Sequence, residues 1–199
     1  MEMNYYQCCP SNYCPVNPCI SEAEVQLMST MRMLWEQHVM WTRLVILSII
    51  AGSPDEDVNT KRLLQNPGDF AQALRPFYGE EKAREFKDLF TSHLVIAAEL
   101  VKAATAGKNA AAADAEERWY ANAKEIAAFL ASINPYWSKE VWQSMLREHL
   151  ALTKSEAVDI LTKDYASAVR VYDEIEKQAL MMADVMTGGI ISSFYLLTK

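Results

Sequence analysis

The sequence predicts an all-α protein: an up-down helical bundle with a four-helix core made from a duplicated helical hairpin, plus an additional long N-terminal helix. Three observations predict it. Apolar residues recur at steps of three and four along five long stretches. Helix start and stop signals bound those stretches. A pattern of a large apolar pair, two mostly polar residues, a histidine and a mainly apolar run occurs three times, in LWEQHVMWTRLV (34–45), LFTSHLVIAAEL (89–100) and MLREHLALTKSE (145–156). These three segments hold all 3 histidines of the chain.

Residues 1–20 read as a tail rich in Cys, Pro, Tyr and Asn. Pro10, Pro15 and Pro18 oppose helix there, and no apolar periodicity is present. The tail carries every cysteine: Cys8, Cys9, Cys14 and Cys19. Their spacing matches no zinc module, which pairs cysteines two residues apart. The expectation is a flexible arm, with reduced thiols or with cysteines that support self-association through intermolecular disulfides. Residues 21–199 read as one bundle domain.

The first long helix is expected over 21–51. Ser21 and Glu24 form a capping box, and Gly52 closes the helix. Its apolar seam runs Met28, Met31, Leu34/Trp35, His38, Trp41, Val45 and Ile49. Two short pieces follow. One starts at Ser53-Pro54; the other covers 69–75 and ends at Pro76, with Asn66-Pro67-Gly68 as the turn between. Both are expected to cap one end of the bundle.

A helix over 80–106 carries Phe86, Phe90, His93 and Leu100 on its seam, and a turn at Gly107-Lys108-Asn109 leads to a helix over 110–133. Asn134-Pro135 ends that one, because the residue before proline avoids helical angles. Ser138 caps a helix to 162 whose seam includes Trp142, His149, Thr153 and Glu156. Asp164 caps the last helix, to 196, where Gly188-Gly189 marks a kink or an early end. Position i of the second pair of helices to come matches i+56 of the last pair: Phe86 with Trp142, His93 with His149, Asn122 with Gln178, Ile126 with Met182. Two such hairpins make an up-down bundle.

Composition narrows the function classes. The formal net charge is −7 with no cluster of Lys or Arg, which disfavours a nucleic-acid surface. No apolar stretch reaches the roughly 20 residues of a membrane span. The N-terminus lacks a basic region followed by an apolar one, so the expected location is cytoplasmic. Gly-rich phosphate loops and a G-x-S-x-G nucleophile motif are absent.

The histidines define the leading functional expectation. A lone histidine on an apolar face is usually a hydrogen-bonded core residue. Three in one register point to a metal site, with His38, His93 and His149 as ligands and Glu156, two turns after His149, as a possible fourth. Imidazole and carboxylate together suit Fe, Mn, Zn or Ni. The ferritin-like di-iron pattern needs Glu-x-x-His on two helices, and the chain has none. Three-histidine mononuclear bundles of the DinB type are the looser parallel, although they place two histidines on one helix. Two alternatives stand beside the metal reading: a structural protein assembling through its tail, and a small-molecule binder with a pocket in the Trp- and Met-rich core.

The segments LWEQHVMWTRL, RLLQNPGDFAQALRPFYG and WYANAKEIAAFLASINPYW, with REHLALTKSEAV and ALMMADVMTGGI, resemble an uncharacterised all-helical family of spore-forming bacteria. The resemblance covers about residues 21–195. Members often carry the transferred label acetylglutamate kinase; that enzyme is an α/β protein with glycine-rich phosphate loops, and this chain has neither. The resemblance implies a helical fold and, as the alternative to a cytoplasmic location, a spore layer; it supplies no activity and no catalytic residue.

Overall fold

A computed structural model describes residues 21–195. The tail with Cys8, Cys9, Cys14 and Cys19, and the expected cross-linking role, lie outside the described residues. Within them the chain is helical, with α1 Glu22–Ala51, α2 Glu56–Leu63, α3 Asn66–Thr105, α4 Asn109–Ile133, α5 Lys139–Leu161 and α6 Tyr165–Tyr195, and there is no strand among the described residues.

The predicted caps are formed. Ser21 and Glu24 bond reciprocally, at 3.2 Å from Glu24 N to Ser21 Oγ and 2.6 Å from Ser21 N to Glu24 Oε2. Ser138 Oγ accepts from Val141 N, and Asp164 Oδ1 accepts from Ser167 N at 3.0 Å. Gly52 ends α1 with φ 61°, the left-handed value glycine reaches without cost.

The segment 66–78 differs from expectation. Asn66-Pro67-Gly68 is the first turn of α3, with Pro67 where its missing N–H is harmless. Pro76 does not end the helix. It removes one hydrogen bond, and the helix continues to Gly79, which breaks it with φ 77° and ψ 172°. There the chain folds back. Phe70 lies 5.9 Å from Phe86 and 5.4 Å from Phe90, ring centre to ring centre. Along an unbroken helix Phe70 and Phe86 would be about 24 Å apart. Residues 66–78 are therefore a return arm beside α1 rather than an end cap.

This makes the repeat threefold. The hairpins are α1 with 66–78, 80–105 with α4, and α5 with α6. Equivalent positions on the return arms are buried in all three: Phe70, Ile126 and Met182, then Leu74, Leu130 and Met186. The helices pack in a closed sequence in which α1 contacts both α3 and α6, α3 contacts α4, α4 contacts α5 and α5 contacts α6. α1 thus sits between the first and last arms of the expected four-helix core.

α6 also corrects the expectation at Gly188-Gly189, since the helix runs straight through both residues. Gly188 faces open space, whereas a Cβ on Gly189 would overlap the indole of Trp137. Gly189 leaves room for a tryptophan, and the helix tolerates the pair because packing outweighs a propensity cost of about 1 kcal/mol per glycine. Trp137 closes this end of the bundle together with Tyr78, whose ring centre is 5.5 Å away.

Candidate functional site

All three histidines are buried, each 2–3% exposed, and His93 and His149 are held by the return arms of their own hairpins. Asn122 Nδ2 donates to the Leu89 carbonyl at 3.1 Å, which turns Asn122 Oδ1 toward His93 Nδ1, 2.8 Å away. Gln178 Nε2 donates to the Met145 carbonyl at 2.8 Å, and its Oε1 stands 3.1 Å from His149 Nδ1. Asn66 Nδ2 donates to the Leu34 carbonyl at 3.0 Å. In every case the carbonyl belongs to the residue four before the histidine, which already receives that histidine's own helical N–H. A carbonyl has two lone pairs and can serve both donors.

The amides decide the tautomers. An amide oxygen only accepts, so the facing Nδ1 of His93 and of His149 carries the proton and Nε2 keeps the lone pair. The third copy is looser: His38 Nδ1 and Asn66 Oδ1 are both buried without a hydrogen-bond partner. Asn66 still favours the charged imidazole of His38, but burial and the nearby His149 and His93 outweigh it and hold the group well below the ordinary range. Burial also brings His93 down to about 3 and His149 to about 4, against the help of Asn122 and Gln178. All three imidazoles are neutral at pH 7.

The rings form one layer. His38 lies 5.5 Å from His149, and Phe90 packs against both His38, at 4.9 Å, and His93, at 6.1 Å. Trp119 covers His93 at 5.4 Å. Among the described residues no three His, Cys, Asp or Glu side chains are grouped so that they could hold a metal ion. Glu156, the expected fourth ligand, pairs with Arg43 instead. Arg43 also reaches the Ala168 carbonyl at 3.3 Å and lies 4.8 Å from the centre of the Tyr172 ring. Burial pushes the Glu156 carboxyl up to about 7 even with Arg43 beside it.

Directly above this layer is a cavity of about 380 Å³. The residues one turn after the histidines, Thr42, Ala97 and Thr153, all line it. Its walls come from the C-terminal halves of α1, α3 and α5 and the N-terminal half of α4, so the histidine-bearing arms run parallel. Ile46, Leu94 and Val101 give an apolar surface, and alanines such as Ala98, Ala112 and Ala157 provide the space. The exposed Asn109, Lys154 and Leu161 mark its mouth.

The sequence reading placed a pocket in the Trp- and Met-rich core. Trp119 lines the cavity, whereas Trp137, Trp142, Met182 and Met186 are buried away from it. The signal for the cavity was the run of inward alanines on either side of the α3–α4 turn, where walls lack the bulk to meet. Comparison with family models, with curated proteins and with solved structures finds no match.

Proposed function

We propose that the protein binds an apolar small molecule in the cavity above the histidine layer. The observation that supports this is the cavity itself. Protein interiors are close-packed and keep few voids larger than a water, whereas ligand sites span roughly 300–1,000 Å³ with mostly apolar walls and a few polar groups. A volume of about 380 Å³ walled by alanine and branched aliphatic residues belongs to the second group. The clamped histidines beneath supply a rigid floor.

The test is a titration with the neutral fluorophore N-phenyl-1-naphthylamine, for the wild type and for Ala97→Leu/Ala157→Leu, which fills the cavity. Saturable 1:1 enhancement that weakens at least tenfold in the helical double variant is expected. Absence of saturable binding, or equal binding by the filled variant, contradicts the reading.

A second reading is favoured by the tautomers. A metal-ligating histidine normally donates its other ring N–H to an outer partner, and Asn122 and Gln178 face His93 and His149 in that way. A transition metal such as Fe, Mn, Zn or Ni would take His38, His93 and His149 only if the rings moved together, and Glu156 only if it left Arg43. Elemental analysis of untagged protein beside His93→Ala/His149→Ala tests this reading. Near-stoichiometric metal lost in the variant supports it; no metal after reconstitution sinks it.

A further inference from the structure

Resting on the cavity reading, we infer that the ligand is a single-chain amphiphile: one alkyl chain of about ten carbons lying along the bundle axis, with its polar head left at the mouth. The wall has the same reach on each histidine-bearing arm. It runs from Thr42 to Ile50 on α1, from Ala97 to Thr105 on α3 and from Thr153 to Leu161 on α5. Each stretch begins four residues after its histidine and ends twelve after it. A helical rise of eight residues is about 12 Å. Spread over that depth, about 380 Å³ leaves a mean cross-section of about 30 Å². Carbon atoms in contact sit about 4 Å apart, so a packed alkyl chain takes on the order of 20 Å². The space holds one chain and not two. Bonds of about 1.5 Å at tetrahedral angles advance such a chain by roughly 1.25 Å per carbon, so about ten carbons fill the depth.

Polarity is sorted along this depth. Leu94 and Ala97 make the inner end apolar, and Thr42 and Thr153 there already donate to the carbonyls of His38 and His149 at 2.7 and 2.9 Å. Lys154 and Glu116 pair at 2.6 Å along the α4–α5 side. The exposed Thr105, Asn109 and Leu161 lie at the outer end, where α4 starts without a side-chain cap. Asn109 and the first-turn N–H groups of α4 offer a head group partners there. A head at the mouth keeps its water, whereas one carried inward exchanges water for apolar walls.

The experiment is displacement of N-phenyl-1-naphthylamine from the full chain by 1-hexanol, 1-octanol, 1-decanol and 1-dodecanol, and by decyl maltoside below its micelle concentration. Affinity is expected to rise about fourfold per methylene up to 1-decanol, and by less than about threefold in all from 1-decanol to 1-dodecanol. Decyl maltoside, whose head is too large to enter, should bind within about fivefold of 1-decanol. Ala97→Leu fills the inner end and should move the plateau to 1-octanol. A rise that continues undiminished to 1-dodecanol, affinity independent of chain length, or no displacement by decyl maltoside overturns the inference in the wild type alone. So does a plateau unmoved in a helical Ala97→Leu variant. In each of these cases saturable binding of the fluorophore leaves the cavity reading standing. Failure of the fluorophore itself to bind removes both.

Discussion

His149 Nδ1 and Gln178 Oε1 meet at 3.1 Å across 29 residues of chain, the same separation that joins His93 to Asn122 at 2.8 Å. A buried pair repeated at one spacing binds the second and third hairpins each to itself. It also fixes which ring nitrogen carries the proton.

Cutting such a clamp orphans one group, the imidazole N–H, and takes from a helical carbonyl its second donor. Asn122→Ala and Gln178→Ala are each predicted to lower stability by about 1–3 kcal/mol. Asn66→Ala should cost less through the ring, since His38 Nδ1 is already unpaired. Urea unfolding followed by circular dichroism measures all three.

Acid should unfold the protein through these histidines. Their folded-state pKa values are depressed, so between pH 6.5 and about 4 the unfolded chain takes up protons that the native state refuses. Stability is fully present above pH 6.5 and is lost as pH falls, by on the order of 1 kcal/mol per pH unit for each titrating group. Glu156 acts in the opposite sense. Its pKa is raised, so between 4.5 and about 7 the native state holds a proton that the unfolded chain releases. Three groups against one leave a net loss on acidification. The slope of unfolding free energy against pH should steepen in Glu156→Gln and flatten in His93→Leu.

Removing Arg43 strands a buried carboxyl. Arg43→Met is predicted to cost about 3–5 kcal/mol at pH 8, where Glu156 must ionise alone. The cost should be smaller at pH 5, where the carboxyl is protonated. Adding Glu156→Leu should restore much of the stability. Denaturant midpoints at the two pH values provide the comparison.

Adjacent glycines should respond with opposite signs. Gly189→Ala drives a methyl into Trp137 and should destabilise by about 1–3 kcal/mol. Gly188→Ala meets open space in a helix and should stabilise by roughly 0.5–1 kcal/mol. Thermal midpoints of the two variants distinguish packing from propensity.

Much of the fold was legible because its signals are local. Caps at Ser21, Ser138 and Asp164, the stop at Gly52, and the seams through His38, His93 and His149 depend on neighbours within a turn or two. The threefold repeat was half visible. His on His and Asn122 on Gln178 could be aligned, but the short return arm of the first hairpin carries the helix-stop signals Pro67 and Pro76 and ends at Gly79, which masks its match to the other two. The partner of Glu156 was not legible, because Arg43 lies on a different helix 113 residues away. The cavity left only the run of alanines about the α3–α4 turn as a trace, since absence of bulk becomes a space only after α1, α3, α4 and α5 are assembled.

The most direct test of the central claim is a crystal structure under xenon pressure, because xenon enters apolar cavities that exclude ordered water. The account predicts xenon between Ile46, Leu94, Val101 and Ala157, one turn above the histidine layer. A collapsed space with Leu94 and Ala157 in contact, or a chain of ordered waters in its place, would contradict it.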